Sequence, residues 1–527
     1  MNRQEQLNKI GLSEDIWDVI VIGGGATGLG AALEASSRGY HTLLLEMSDF
    51  SKGTSSRSTK LVHGGVRYLA QGDISLVLEA LRERGLMLKN APHLVKNQAF
   101  IIPNYEWWGG PFYTIGLKAY DMMAGKLGLG PSVHISKEEV LEELPTLRQD
   151  GLTGGVIYHD GQFDDARFSI NLAQTIIEQG GTALNYMEVT SLSKEDNGLI
   201  DGLSVKDNLT GKEYDLKTKA VVNATGVFTD NILQMDEPGM EKKVVPSQGI
   251  HMVLDQEFLA GDHAIMIPKT DDGRVLFAVP WRGKVVVGTT DTLVEEPSLE
   301  PRALEEEIEF ILDTAGRYLT RPPQREDVRS IFAGLRPLAA PEGESKKTKE
   351  ISRSHKIFVS LSGLVTITGG KWTTYRKMGQ DTIEKAILIA GLEERSCVTE
   401  NLHIHGFTNE VDYSDHLYVY GLDAHQIRKL IKEDPNLGKQ LHKNLEFTSA
   451  EVVWACRKEM AQTVDDVLAR RVRALYLDAA AAIEMAPAVA AIMASELNKD
   501  ENWQIKQVEE FSTMAKGYLL EPINKNK

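Results

Sequence analysis

Three glycines and one glutamate carry the first chemical signal in this chain. Gly23, Gly25 and Gly28 follow the apolar run Trp17-Asp-Val-Ile-Val-Ile22, and Glu46 closes the next one, Thr42-Leu-Leu-Leu-Glu46. That spacing suits a dinucleotide. Gly23 makes a tight turn, Gly25 lets the backbone approach a pyrophosphate, and Gly28 allows close helix packing. The helix opening there offers N–H donors and a positive dipole end, and Glu46 is placed to accept from ribose hydroxyls.

These residues need a strand, a glycine turn, a helix through Ala31-Ala-Leu-Glu-Ala35 and a second strand, which together make a βαβ unit. Later β-branched runs, Ala220-Val-Val-Asn-Ala224, Lys284-Val-Val-Val-Gly288 and Lys356-Ile-Phe-Val-Ser360, extend this to a mixed α/β core. From about Ser396 the strand-like runs give way to apolar residues at helical spacing, as in Ser449 to Leu477, so a domain boundary is expected there. His251 reads as the start of a strand, and Pro341 to Glu350 as a short solvated loop.

Composition narrows the class further. A chain of 527 residues can bury a large core in two or three domains. Its formal charge of -17 repels a nucleic-acid backbone, so no nucleic-acid partner is expected and any anion site must be local. Two cysteines, Cys397 and Cys456, both in stretches that read as helical, support neither a disulfide framework nor a cysteine metal site, and no metal is expected. The opening residues lack the apolar core of a signal peptide, which fits a cytoplasmic protein. Ala474 to Ala494 is apolar but broken by Asp478, Glu484 and Pro487, and reads as a packed helix. The aromatic stretch from Trp107 to Leu129 reads as core packing, with contact to lipid or quinone as the alternative.

Just after Glu46, the loop Lys52-Gly-Thr-Ser-Ser-Arg-Ser-Thr-Lys-Leu-Val-His-Gly-Gly65 is rich in small hydroxyl residues and glycine, and can wrap a long cofactor. This loop, Asn223-Ala-Thr-Gly226 and Gly369-Gly-Lys-Trp-Thr-Thr-Tyr375 together resemble the FAD-dependent glycerol-3-phosphate dehydrogenase family. The resemblance covers nearly the whole chain. It includes His63-Gly-Gly-Val-Arg-Tyr-Leu69, Val287-Gly-Thr-Thr-Asp291, Gly334-Leu-Arg-Pro-Leu338, Glu459-Met-Ala and Asp466-Val-Leu-Ala-Arg-Arg471.

The resemblance implies a Rossmann-like FAD-binding domain of the glutathione reductase and amino-acid oxidase type, a mixed-sheet substrate domain and a C-terminal all-helical domain. It assigns the FAD-dependent oxidoreductase region to residues 16–395, with FAD-binding pieces at about 16–90, 150–232 and 352–395 and substrate pieces at about 91–149 and 233–351; the helical domain is 396–527. FAD is held without a covalent link by Gly23, Gly25, Gly28, Glu46, Thr54, Ser55, Ser58, His63, Gly64, Gly65, Ala224, Thr225, Gly226, Gly369 and Gly370. The implied substrate is sn-glycerol 3-phosphate, oxidised to dihydroxyacetone phosphate. Arg336, Lys371 and Arg67 supply convergent cations for its phosphate, and Tyr68 and Thr374 orient it. His251 is the implied general base, with His63 the competing candidate, given to cofactor contact.

The implied electron acceptor is a membrane quinone, reached by peripheral docking at the inner face of the cell membrane, and a homodimer is compatible. Two alternatives stand beside this reading: an oxidase that passes electrons to oxygen and makes hydrogen peroxide, and an amine or amino-acid oxidase on the same fold. The short segment from Pro341 to His355 favours the dehydrogenase over the oxygen-using oxidase, and the paired cations argue against an amine substrate.

Overall fold

The computed structural model describes residues 1–12, 16–70, 72–105, 109–268, 270, 275–340 and 354–521. Val19–Ile22 is buried at all four positions, as a central parallel strand covered on both faces must be. Its sheet runs in the order Lys356–Val359, Val365–Thr368, Val221–Asn223, Val19–Ile22, Thr42–Leu45, Thr182–Leu184. Neighbours are parallel except the outer pair, Lys356–Val359 and Val365–Thr368. Helix Ala26–Ser37 crosses one face and packs on helix Tyr375–Ile389. The contact is backbone to backbone: a Cβ at Gly379 would stand 2.5 Å from the Gly30 carbonyl, so only glycine permits it.

A second, larger mixed sheet carries Val95–Asn104, Gly154–Phe163, Val244–Asp255, Ala264–Ile267, Leu276–Trp281, Lys284–Gly288 and Ser330–Ala339. Val244–Asp255 is paired on both edges. Ser330–Ala339 runs antiparallel along one edge, from Val244 opposite Ala339 to Val253 opposite Ser330, and Lys284–Gly288 along the other. His251 therefore sits inside a long strand, not at its start. Gly154–Phe163 also departs from the expected division. It pairs along its whole length with Val95–Asn104, so the substrate sheet takes residues expected in the FAD-binding piece.

The boundary near Ser396 separates textures but not cores. Ile404, Leu417, Val419, Tyr420, Ile427 and Trp454 share one hydrophobic cluster with Val19, Leu33 and Val222 of the first domain. Farther on, Val467, Leu468 and Tyr476 share another with Val253, Trp281 and Phe332 of the substrate sheet. The C-terminal region is mainly helical, with Ser449–Lys458, Ala479–Leu497 and Glu501–Ala515, but includes a hairpin, Gln440–His442 with Leu445–Thr448. Cys397 lies outside any helix, whereas Cys456 is helical, and neither is in a disulfide.

Among the described residues, Ala479–Leu497 is long and apolar enough to cross a membrane. It packs instead as an amphipathic core helix: Ala482, Met485, Ala486, Val489, Ala490 and Met493 are buried, while Glu484 and Pro487 face outward. Its neighbours are Ser449–Lys458 and Glu501–Ala515.

Candidate active site

At the carboxyl ends of the first sheet's strands lies an elongated cleft, about 1330 Å³ of empty space counted out to its open mouth. Its floor is the glycine turn. Gly23 has φ +109, and a Cβ at Gly28 would stand 1.8 Å from the Gly23 carbonyl oxygen, so the turn closes only around glycine. Gly25, Glu46, Thr54, Ser55, Ala224, Thr225, Gly226, Gly369, Gly370 and Lys371 also line the cleft. Size, glycine wall and helix N-terminus together fit a dinucleotide.

Glu46 already holds the cleft together. One carboxylate oxygen accepts from the Gly24 N–H at 2.6 Å and the other from the Ser48 N–H at 2.8 Å. Burial pushes its carboxyl upward, opposed by those two N–H donors. Each oxygen keeps a lone pair for a ribose hydroxyl. Ser55 Oγ accepts from the Ala26 N–H at 2.9 Å, stitching the hydroxyl-rich loop onto the helix start. The indole of Trp372 donates to the Ser55 carbonyl at 2.8 Å, and the Thr54 hydroxyl donates to the Leu335 carbonyl at 2.5 Å. The same loop thus touches both sheets.

Several residues expected at the cofactor have other partners within the protein. Ser58 does not line this cleft; its N–H and hydroxyl donate to Asp165 at 3.0 and 2.7 Å. Neither do His63, Gly64 and Gly65: the His63 N–H donates to Thr373 Oγ1, and Gly64 is packed against Leu81 and Tyr120. Thr374 is buried with its hydroxyl donating to the Lys371 carbonyl at 3.3 Å, closing its own turn. Arg67 is on the short helix Val66–Ala70, but its side chain lies outside the described part. Trp107, Trp108 and residues 341–353 also lie outside the described residues.

The remaining candidates converge. Lys371 stands over the Tyr68 ring, 3.9 Å from its centre. The Gly369 N–H donates to the Pro337 carbonyl at 3.1 Å, joining the Lys371 turn to the strand that bears Arg336. Arg336 is held by the Thr290 carbonyl at 3.0 Å, Thr289 Oγ1 at 3.1 Å and the Gln248 carbonyl at 3.3 Å, with Asp291 at 3.5 Å. Gly249 makes room for this guanidinium, since a Cβ there would meet it at 2.4 Å. Two residues along the same strand, and hence on the same face, His251 is buried with its ring stacked on Phe332 at 5.0 Å. Thr59 Oγ1 lies 2.9 Å from His251 Nε2, and Nδ1 has no hydrogen-bond partner among the described residues. Burial, then the charges of Lys60 and Arg336, push its imidazole well below the ordinary histidine range and keep it neutral.

An ionic seam was not foreseen from spacing. Lys52, on the cleft wall, pairs with Glu300 at 2.6 Å and Asp465 at 2.7 Å. Asp49 accepts from Arg470 at 2.6 Å and Arg471 at 2.7 Å. Burial alone would raise the Asp49 carboxyl, but Arg471 and Arg470 hold it at about 2. Arg473 and Lys60 meet at Asp165, and Arg167 pairs with Glu459. The Glu459 and Asp466–Arg471 motifs therefore fasten the helical region to helix Asp165–Glu178 and to Asp49, just ahead of the cofactor loop.

Comparison with known proteins points to the same cofactor. Residues 18–376 match the family described as FAD dependent oxidoreductase, and residues 365–504 match the C-terminal domain of alpha-glycerophosphate oxidase. The probable mitochondrial glycerol-3-phosphate dehydrogenase of Caenorhabditis elegans is 40% identical, over 97% of this chain and 74% of that protein. The mitochondrial glycerol-3-phosphate dehydrogenase of Homo sapiens is 39% identical, over 94% of this chain and 72% of that protein. Among solved structures, the FAD complex of glycerol-3-phosphate dehydrogenase from Bacillus halodurans superposes with a TM-score of 0.80 at 29% identity, covering 100% of this chain and 99% of that one. The FAD-bound L-alpha-glycerophosphate oxidase of Mycoplasma pneumoniae, with a TM-score of 0.57 at 17% identity over 74% of this chain and 98% of that one, shares the fold alone.

Proposed function

Because the chain belongs to the FAD-dependent glycerol-3-phosphate dehydrogenase family, we propose that its site oxidises sn-glycerol 3-phosphate at carbon 2 to dihydroxyacetone phosphate. The observation that carries this reading is the joining of two cation-bearing segments, Arg336 and Lys371, at the end of a dinucleotide cleft in a chain of net charge -17. A phosphate dianion needs such a local pair, an amine substrate does not.

Bound FAD supplies the two-electron acceptor, and the chain's own residues do the remaining work. Arg336, fixed by two carbonyls, a hydroxyl and Asp291, contributes positive charge toward the phosphate, and Lys371 adds a point charge. His251, neutral and buried, takes the proton of the carbon 2 hydroxyl as that carbon is oxidised. Anaerobic addition of glycerol 3-phosphate should bleach the yellow holoenzyme, and glycerol or sarcosine should not. Equal catalytic efficiency on glycerol and its phosphate would eliminate the phosphate clamp.

We further infer that electrons leave to a membrane quinone at a peripherally docked surface. Ile115 and Met122 are 72% and 83% exposed and one heptad apart on helix Gly109–Ala124, which packs on helix Ile74–Asn90, where Ile74 and Leu78 are also exposed. Apolar side chains of this kind insert at a lipid interface without depending on charge, so vesicle binding should survive salt. The deciding measurement mixes pre-reduced enzyme with oxygenated buffer or with a quinone analogue. Fast reoxidation by oxygen with stoichiometric peroxide, and none faster by quinone, would replace this acceptor with oxygen.

A further inference from the structure

Asp165 pins the chain on both sides of Thr59. Its Oδ2 accepts from the Ser58 N–H and hydroxyl at 3.0 and 2.7 Å and from Lys60 Nζ at 2.7 Å. Lys60 Nζ also donates to the Ser56 carbonyl at 2.9 Å. Arg473, from the C-terminal region, donates to the other Asp165 oxygen and to the same Ser56 carbonyl, each at 2.9 Å. Lys60 is 0% exposed and has φ +64, a conformation that a side-chain-bearing residue keeps only when its surroundings dictate it. Thr59, between two anchored neighbours, is thereby held against His251 Nε2.

We propose that Lys60 is a positioning residue for His251, fixing the Thr59 hydroxyl on Nε2 and placing a positive charge by the Phe332 ring on which the imidazole stacks. The inference rests on the reading of His251 as base. Lys60 Nζ lies 5.2 Å from the centre of the Phe332 ring, and that ring stacks on His251 at 5.0 Å. Trp281 and Tyr476 complete an aromatic enclosure around the ammonium, each 5.4 Å away.

The Thr59 hydroxyl can either accept from Nε2–H, which leaves the lone pair that a base requires on Nδ1, or donate to Nε2 in the other tautomer; in both it fixes the ring. The charged groups bearing on the imidazole are Lys60 from the loop and Arg336 from the neighbouring strand, both positive. Asp165 and Arg473 lie beyond Lys60, Asp291 lies beyond Arg336, and Arg57 on the same loop is paired with Glu300. The two cations oppose protonation, so the base stays available in mildly acid solution.

The test is the rate at which glycerol 3-phosphate reduces the bound flavin in anaerobic rapid mixing, followed across pH on intact holoenzyme. Lys60→Met should shift the acid limb of the rate upward by about one pH unit, whereas Lys60→Arg keeps the limb in place. Thr59→Val leaves every ionic contact intact and should lower the rate at all pH values without moving the limb; it decides the matter if Lys60→Met yields no folded enzyme. An unmoved limb in Lys60→Met, or an unchanged rate in Thr59→Val, overturns the positioning role. Normal flavin reduction by His251→Asn would instead overturn the base assignment on which it rests.

Discussion

The ammonium of Lys371 is seated on the face of Tyr68, 3.9 Å from the ring centre. An aromatic face attracts a cation and fixes its position without neutralising it. Tyr68→Leu should raise KM for glycerol 3-phosphate about 2- to 10-fold with little change in kcat, the range expected of one cation–π contact. Lys371→Met should cost more, on the order of 2 to 5 kcal/mol of substrate binding. Steady-state kinetics with a soluble dye checks both, and an unchanged KM in Tyr68→Leu would separate the ring from the site.

Glu46 offers a second test. Its two oxygens accept the N–H groups of Gly24 and Ser48, so Glu46→Ala removes a brace of the turn along with the ribose acceptor. Each charge-assisted bond of this kind is worth about 1.5 to 3 kcal/mol. The variant should emerge from dialysis depleted of FAD, measured by the ratio of flavin to protein absorbance. A full complement would refute the placement.

The pairing of Asp49 with Arg470 and Arg471 is buried, with side-chain exposures of 0%, 2% and 0%. Asp49→Ala removes a buried acceptor shared by two guanidinium groups, leaving Arg470 with Asp465 and Asp466 and Arg471 with the Glu459 carbonyl, and should lower unfolding free energy by about 3 to 5 kcal/mol. Denaturant titration of the holoenzyme reads this directly, and a loss below about 1 kcal/mol would sink it. The pH dependence has a defined sign. The Asp49 carboxyl is held at about 2, below its ordinary 3.8, so its stabilisation is complete above pH 3.8 and fades as pH falls toward 2.

His405 behaves in the opposite sense. Burial would lower its pKa, but bonds to Asp423 at 2.8 Å and to Glu178 at 2.5 Å raise it to about 9. A raised histidine stabilises the fold fully below its ordinary 6.5 and loses that contribution as pH rises through 9. His405→Gln should therefore flatten the decline in melting temperature between pH 7 and 9. A slope identical to that of the parent chain would show that the ion pair contributes nothing.

The glycine turn and Glu46 were legible in the sequence because their geometry is local, set by residues a few positions apart in a strand, a turn and a helix. His251, Arg336 and Lys371 were legible only through resemblance, since nothing in their spacing brings three distant segments together. What was not legible shares one cause. Ser58 and Thr374 have the residue types of cofactor and substrate contacts, and within the protein Asp165 and the Lys371 carbonyl take their hydroxyls. Lys60 gave no local sign of burial, because its partner Asp165 is 105 positions away. Likewise the strand Gly154–Phe163 belongs to the sheet that its partner Val95–Asn104 dictates, and chain order could not show that.

The seam that fastens the cofactor loop has a temporal meaning for a chain made from one end. Asp49 and its partner Arg471 are separated by 422 residues. At roughly 5 to 20 residues per second, a ribosome needs roughly 20 to 80 s to deliver the arginine after the aspartate. Until then the carboxylate beside the glycine turn lacks its arginine partners, so this part of the seam forms only after the helical region has been made.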